Sequence, residues 1–174
     1  MEYALSRSMS PALVADYTLR LPDKEILRDK LRELTEKGCN QASSMAKWAA
    51  SWWPSGKTAL WVSPYVRTCQ TASYLEKYLP IEQFHTHKAI ASGDLVAVYD
   101  EILSRETADV VCLIGHSPFL DRWAQAWTGT AVDFKPGSMA LFDFDVHGGR
   151  IGSASLLFYA HPKALKFLGP SYKE

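Results

Sequence analysis

The feature that most constrains the fold is a recurring unit, in which a short apolar segment is followed by Ser-Pro and then by a helical pattern. The apolar segments are Tyr3-Ala4-Leu5, Leu60-Trp61-Val62 and Val110 to Ile114, and the dipeptides that follow them are Ser10-Pro11, Ser63-Pro64 and Ser117-Pro118. Strands that alternate with helices predict an α/β protein with a mostly parallel central sheet. The third segment is continuously apolar, which is typical of a central strand covered on both faces.

The segments between the strands show helical spacing of apolar residues. Helices are predicted over Glu36 to Trp53 with Thr35 as cap, Tyr65 to Tyr78, Asp94 to Arg105 with Asp94 as cap, and Phe119 to Trp127. Met139 to Val146 and Ala154 to Tyr159, joined through His147-Gly148-Gly149, predict a hairpin at the sheet edge. Since no linker or repeat divides the chain, residues 1–174 are expected to form one domain.

Charge and composition exclude some classes of partner. The 174 residues include 19 basic and 19 acidic side chains, so bulk attraction to nucleic acid or to an anionic membrane is not expected. There is no run of about 18 apolar residues, and the first residues lack the apolar core of a signal peptide. Cys39, Cys69 and Cys112 form no CxxC pair. We therefore expect a soluble, cytoplasmic protein with reduced cysteines.

Three side chains suited to binding an anion follow the three predicted strands. Arg7 follows the first, Arg67 lies in the first turn after the second, and His116 follows the third. The carboxyl ends of parallel strands meet helix N-termini at one edge of the sheet, so all three should project into one crevice. Two guanidinium groups and an imidazole can grip a phosphoryl group. The expected partner is phosphate, or a phosphorylated small molecule or protein.

Three motifs carry a family resemblance. Ser63 to Ala72 resembles the SPxxRxxQTA signature of histidine phosphatases, Ile114 to Pro118 resembles their GHNP motif, and Leu34 to Ala42 resembles an LTxxGxxQA stretch. Together they resemble the histidine phosphatase (phosphoglycerate mutase-like) superfamily, in its short SixA-like phosphohistidine phosphatase branch. The resemblance implies a three-layer α/β/α sandwich and a phosphatase-type pocket containing Arg7, Arg67 and His116, with no cofactor and no metal.

The resemblance fails at the position of the nucleophile. The family's first strand leads into Arg-His, whose histidine is phosphorylated during turnover, whereas this chain reads Arg7-Ser8. No histidine precedes His85, so no shift of the alignment supplies one. A phosphoserine ester is far more stable than the P–N bond of phosphohistidine. The resemblance therefore implies a protein that binds phosphate or a phosphorylated ligand but is catalytically impaired.

Two alternatives remain open from the sequence. One is an active phosphatase that uses a rerouted mechanism, with His116 as the nucleophile. The other is a protein-interaction module on the same fold, with the helical pairs Trp48/Trp52 and Trp123/Trp127 as a recognition surface if they are exposed. Glu82 or Asp94 is a candidate general acid. His85 and His87 have the spacing of metal ligands in an extended segment, but two histidines alone make a weak metal site.

Overall fold

A computed structural model of the protein describes residue 28 and residues 31–167. In chain order, the helices and strands are α1 (Glu36–Ala50), β1 (Thr58–Val62), α2 (Val66–Tyr78), β2 (Ile81–Thr86), α3 (Lys88–Ser92), α4 (Leu95–Ala97), a π-helical segment (Val98–Leu103), β3 (Val110–Ile114), α5 (Phe119–Thr128), β4 (Met139–Phe144), β5 (Ala154–Ala160) and a 3₁₀ helix (Pro162–Phe167). The predicted first strand, Tyr3-Ala4-Leu5, lies outside the described residues.

The three strands β2, β1 and β3 form a parallel sheet in the order β2-β1-β3. Val62 is paired with Thr86 on one side and with Ile114 on the other. The carboxyl ends of all three strands are therefore level with one another. The residues that follow the strands consequently emerge at one edge of the sheet.

Helices cover both faces of this sheet because successive side chains of each strand point to opposite faces. On one face, Leu60, Val62, Cys112 and Ile114 pack with buried residues of α1, of α2 and of the C-cap that ends α2, namely Ala46, Ala49, Ala72, Leu75 and Leu79. On the other, Trp61, Val111 and Leu113 pack with Ile90, Val98, Ile102, Trp123 and Trp127. The predicted α/β fold with a mostly parallel sheet between helices is confirmed, as is the covering of β3 on both faces.

The predicted helices form, with changes at their ends. The Thr35 hydroxyl accepts from the Gly38 N–H at 3.1 Å and caps α1, as predicted, although α1 ends at Ala50 rather than Trp53. Asp94 also caps as predicted, since its carboxylate accepts from the Ala97 N–H at 3.0 Å. Most of the helix that follows Asp94 is π-helical rather than α-helical.

A Ser-Pro dipeptide before a helical pattern predicts that the serine caps the helix, and this is wrong for Ser63-Pro64 and Ser117-Pro118, the two that lie in the described chain. The N-cap residues of α2 and α5 are Tyr65 and Pro118, and neither makes a capping hydrogen bond with its side chain. Both serine hydroxyls have other partners: Ser63 contacts His116, and Ser117 donates to Asp121. Ser10-Pro11 lies outside the described residues.

Strands β4 and β5 pair antiparallel, which confirms the predicted pairing of their two segments. Their position at the edge of the parallel sheet stays a prediction, since within the described residues they form a separate two-stranded ladder.

The two tryptophan pairs pack internally. Trp123 and Trp127 are buried, while Trp48 and Trp52 are half-buried with ring centroids 5.0 Å apart and both contact the ring of Phe158. In the described part of the chain, no helix is long and apolar enough to cross a membrane.

Candidate functional site

Two of the predicted anion-binding residues meet at the carboxyl edge of the sheet. Arg67 lies in the first turn of α2, just after β1, and His116 lies two residues after β3. Although 49 residues separate them in the chain, the Arg67 Nη2 atom is 3.2 Å from His116 Nδ1. Both side chains are half-buried. The parallel register of β1 and β3 brings the two together, because it aligns the ends of the strands that carry them.

A buried hydroxyl fixes the other side of the His116 ring. Ser63 is fully buried directly after β1, and its Oγ atom is 2.7 Å from His116 Nε2. A guanidinium can only donate, so Nδ1 must accept from Arg67 in this arrangement. The neutral ring then carries its proton on Nε2 and donates it to Ser63 Oγ. The backbone N–H of Ser63 donates to the Ile114 carbonyl at 2.9 Å, which holds the serine in line with the sheet.

Tyr65 packs against both residues of the pair. Its ring centroid lies 4.8 Å from that of His116 and 5.1 Å from the Arg67 guanidinium carbon. The contact with Arg67 is a cation–π interaction, which is worth about 0.5–2 kcal/mol depending on solvation. Tyr65 therefore restricts the orientation of both side chains. Sequence reasoning did not single out Tyr65 or Ser63 as parts of the site, although both fall within the SPxxR motif.

Two other motif residues, Gly115 and Gln70, hold the segments next to this pair in place. A Cβ atom on Gly115 would lie 3.0 Å from Ile90 Cγ2, so glycine allows the backbone before His116 to approach α3 closely. Gln70 is one helical turn after Arg67, and its Oε1 atom accepts from the Leu34 N–H at 2.7 Å. That bond ties the segment preceding α1 to the helix that carries Arg67.

The other predicted site residues lie elsewhere or have structural partners. Arg7 and Ser8 lie outside the described residues. Glu82 is exposed on β2, and Asp94 is occupied as a helix cap. His85 stacks on Trp61 with centroids 4.4 Å apart, and the Nδ1 atom of His87 accepts from the Ala89 N–H. Among the described residues, no group of three or more His, Cys, Asp or Glu side chains is placed to hold a metal ion.

A cleft of about 610 Å³ opens beside Arg67, and we call it the basic cleft. The segments that line it come from residues 32–35, the first turns of α1, the loop before β4 and the chain after β5. Its cationic side chains and its histidine are Arg32, Lys37, Arg67, Lys135, Lys163 and His161. Sequence reasoning missed this feature.

Solved structures of other proteins share the fold described above. No protein-family model matches the chain, and no curated protein matches it. A solved structure of the protein histidine phosphatase SixA complexed with tungstate has a TM-score of 0.69 and 22% identity over 79% of this chain and 88% of that one. Two further structures are provisionally assigned as phosphohistidine phosphatase SixA. The one from Agrobacterium tumefaciens has a TM-score of 0.61 and 19% identity over 76% of this chain and 90% of that one. The one from Nakamurella multipartitia has a TM-score of 0.63 and 20% identity over 78% and 88%. The chain thus has the fold of SixA-type histidine phosphatases.

Proposed function

We propose that this protein binds phosphate or a phosphorylated ligand through Arg67 and His116, together with Arg7, and that its turnover is impaired. The observation that carries the proposal is the contact between Arg67 and His116 at the carboxyl edge of a parallel sheet. This edge is where ligands bind in open α/β folds. The SixA protein named above was solved with tungstate, an oxyanion that resembles phosphate in shape and charge, which supports an oxyanion as the ligand here.

The chemistry of the pair suits an oxyanion. The Arg67 guanidinium offers several N–H donors in a planar fork that can contact two oxygens at once. An anion entering between the two side chains replaces the bond from Arg67 to His116 Nδ1. To contact the anion favourably, Nδ1 must then carry a proton. The ring obtains it either by taking up a proton, with Nε2–H still donating to Ser63, or by moving its own proton from Nε2 to Nδ1, with the Ser63 hydroxyl then donating to Nε2.

The proposed impairment rests on Ser8, which stands where the resemblance places the nucleophilic histidine. If Ser8 attacked a phosphomonoester, a bond from its Oγ to phosphorus would form and the bond to the leaving group would break. The resulting phosphoserine ester resists hydrolysis, whereas the corresponding P–N bond of phosphohistidine is labile. The cycle would stop at the first step. The pocket would then serve binding rather than turnover.

Isothermal titration calorimetry with sodium tungstate tests the binding claim. We expect saturable binding by the wild type and at least about tenfold weaker binding by Arg67→Ala and by His116→Ala, because each removes a charge-assisted contact. Arg105→Ala is the matched control, since Arg105 is exposed near the amino end of β3. Titration in buffers with different ionisation enthalpies measures any proton uptake and so distinguishes protonation of His116 from a change of its tautomer. Absence of binding at millimolar tungstate would refute the proposal, as would unchanged affinity in both site variants.

A further inference from the structure

The basic cleft extends the candidate site away from the Arg67–His116 pair. Arg67 lines the cleft and belongs to the pair, so the cleft and the pair adjoin at this side chain. The volume of about 610 Å³ lies within the range of about 300–1,000 Å³ that is typical of small-molecule sites. A bare phosphate ion fills only a small part of such a volume. The cleft therefore offers room for the remainder of a phosphorylated ligand.

The charges of the cleft are unbalanced. Among the described residues, five cationic side chains line it, and Glu33 is the carboxylate. Lys135 forms an ion pair with Asp133, which raises the pKa of the lysine through a hydrogen bond and charge attraction. In the described part of the chain, Arg32, Lys37 and Lys163 form no ion pair with any carboxylate. Three of these cations therefore remain available to an anionic ligand.

The cleft is framed by segments that hydrogen bonds and close packing hold in place. Thr35, which lines the cleft, caps α1. The positive end of this 15-residue helix therefore faces the same space as Lys37. His161 Nδ1 accepts from the Lys163 N–H at 3.0 Å, which fixes the turn that carries Lys163. That bond also leaves Nε2 of His161 as an N–H donor.

The wall that contains Lys135 is also packed closely. Gly137 has a φ angle of +74°, and a Cβ atom there would lie 3.1 Å from Pro162 Cγ and 3.2 Å from Gln41 Cβ. The loop before β4 therefore sits directly on α1 and on the turn after β5. The Gln70 bond to Leu34 fixes residues 32–35 relative to Arg67. The cations of the cleft thus belong to a framework that is tied to the pair.

From this arrangement we propose that the basic cleft is a second anion subsite, specific for small phosphorylated molecules that carry another anionic group. This inference rests on the proposed function, since the first phosphoryl group is held by Arg67 and His116. The second anionic group, a phosphate or a carboxylate, contacts Lys37, Lys163 and the capped end of α1. A concave space of this volume favours a compact, multiply charged molecule over a protein surface.

Affinity measurements on two matched ligand types test the proposal. Propyl phosphate carries one phosphate, and a series of α,ω-alkanediol bisphosphates from propane to hexane carries two at increasing separation. We expect at least one bisphosphate to bind about tenfold or more tightly than propyl phosphate. The double variant Lys37→Ala/Lys163→Ala should reduce that preference to about threefold or less. Both lysines are exposed and form no ion pair with a described residue, so the double variant should fold normally, which thermal unfolding verifies.

Lys57→Ala is the matched control, because Lys57 is an exposed lysine at the amino end of β1 and lies at the opposite edge of the sheet. It should keep the full preference for the bisphosphate. If propyl phosphate binds and no bisphosphate binds more tightly, the second subsite is refuted while the proposed function stands. A preference that survives in the double variant refutes the assignment to the cleft. If neither ligand type binds, the proposed function and this inference both fail.

Discussion

Replacing Ser63 with alanine removes the group that orients His116. Ser63 is fully buried, and its hydroxyl lies 2.7 Å from His116 Nε2. Without the hydroxyl, Nε2 loses this hydrogen bond, which lies on a side that Ser63 closes to water. Removing a hydrogen-bond partner from a buried polar group costs about 1–3 kcal/mol, and the lower half of that range applies because the His116 ring is only half-buried. We therefore expect the free energy of unfolding to fall by about 1–2 kcal/mol.

The loss of the hydroxyl also weakens anion binding. When Nδ1 donates to the anion, the Ser63 hydroxyl is hydrogen-bonded to Nε2, either accepting from Nε2–H or donating to the unprotonated nitrogen. The affinity of Ser63→Ala for tungstate should fall by about tenfold, which corresponds to about 1.4 kcal/mol. Urea unfolding and calorimetric titration measure these effects separately.

Thr58→Val separates the effect on the site from the effect on stability. Thr58 is fully buried at the amino end of the same strand, and its hydroxyl accepts from the indole N–H of Trp53 at 3.1 Å. The two substitutions therefore each remove a buried acceptor from a ring N–H, at opposite ends of β1. Both should lower stability by similar amounts, but only Ser63→Ala should weaken tungstate binding. Equal tungstate affinities in the two variants would refute the proposed role of Ser63.

Three further predictions concern the core and the titrating groups. Burial raises the pKa of the Cys112 thiol to about 12, which leaves a thiolate fraction of only about 10⁻⁴ at pH 8. Iodoacetamide at that pH should therefore leave Cys112 unlabelled in the native protein and label it in urea, and rapid native labelling seen by mass spectrometry would contradict this. Trp123 is 2% exposed, so Trp123→Ala should lower the free energy of unfolding by about 3–5 kcal/mol. A urea titration showing a loss as small as that of Leu157→Ala, an exposed position, would be inconsistent with the core described above. For Glu106, burial opposes ionisation, but hydrogen bonds from the Trp61 indole and from the N–H groups of Ala108 and Thr107 prevail and lower its pKa. This carboxylate stabilises the folded state above its unfolded pKa of about 4.3 and loses that effect as the pH falls through its folded pKa. Glu106→Gln should therefore lose less stability than the wild type between about pH 5 and 3, and identical acid-unfolding curves would contradict the assignment.

The approach of Arg67 to His116 was predictable because it follows from topology. The apolar segments and the helical patterns indicate parallel strands, and the strand ends place both residues at one edge. The helix caps at Thr35 and Asp94 were also predictable, because capping depends on neighbouring residues alone.

The sequence pattern misled where a serine had two competing roles. A Ser-Pro dipeptide before a helix is typical of a cap, but at Ser63 the hydroxyl contacts a histidine 53 residues away. Strand β2 was missed for a different reason. Its residues include Glu82, Gln83 and His85, and most of the strand is exposed, so it lacks the apolar run that parallel strands usually show.

The basic cleft has no local signature at all. Lys37, Lys135 and Lys163 each read as ordinary surface lysines, and they converge only because three separate segments pack against one another. The close approach of Gly137 to Pro162 and Gln41 depends on the tertiary structure. Such a site becomes visible only once the chain is folded.

The most direct test of the central claim is release of phosphate from para-nitrophenyl phosphate by the wild type and by Ser8→His, assayed side by side. If the pocket around Arg67 and His116 is intact and lacks only a nucleophile that can turn over, the wild type should release negligible phosphate and Ser8→His should show measurable turnover. Adding His116→Ala should abolish that turnover. Robust wild-type turnover that disappears in His116→Ala would contradict impairment and indicate a rerouted phosphatase. Silence of a folded Ser8→His protein would contradict the claim that the pocket is otherwise competent.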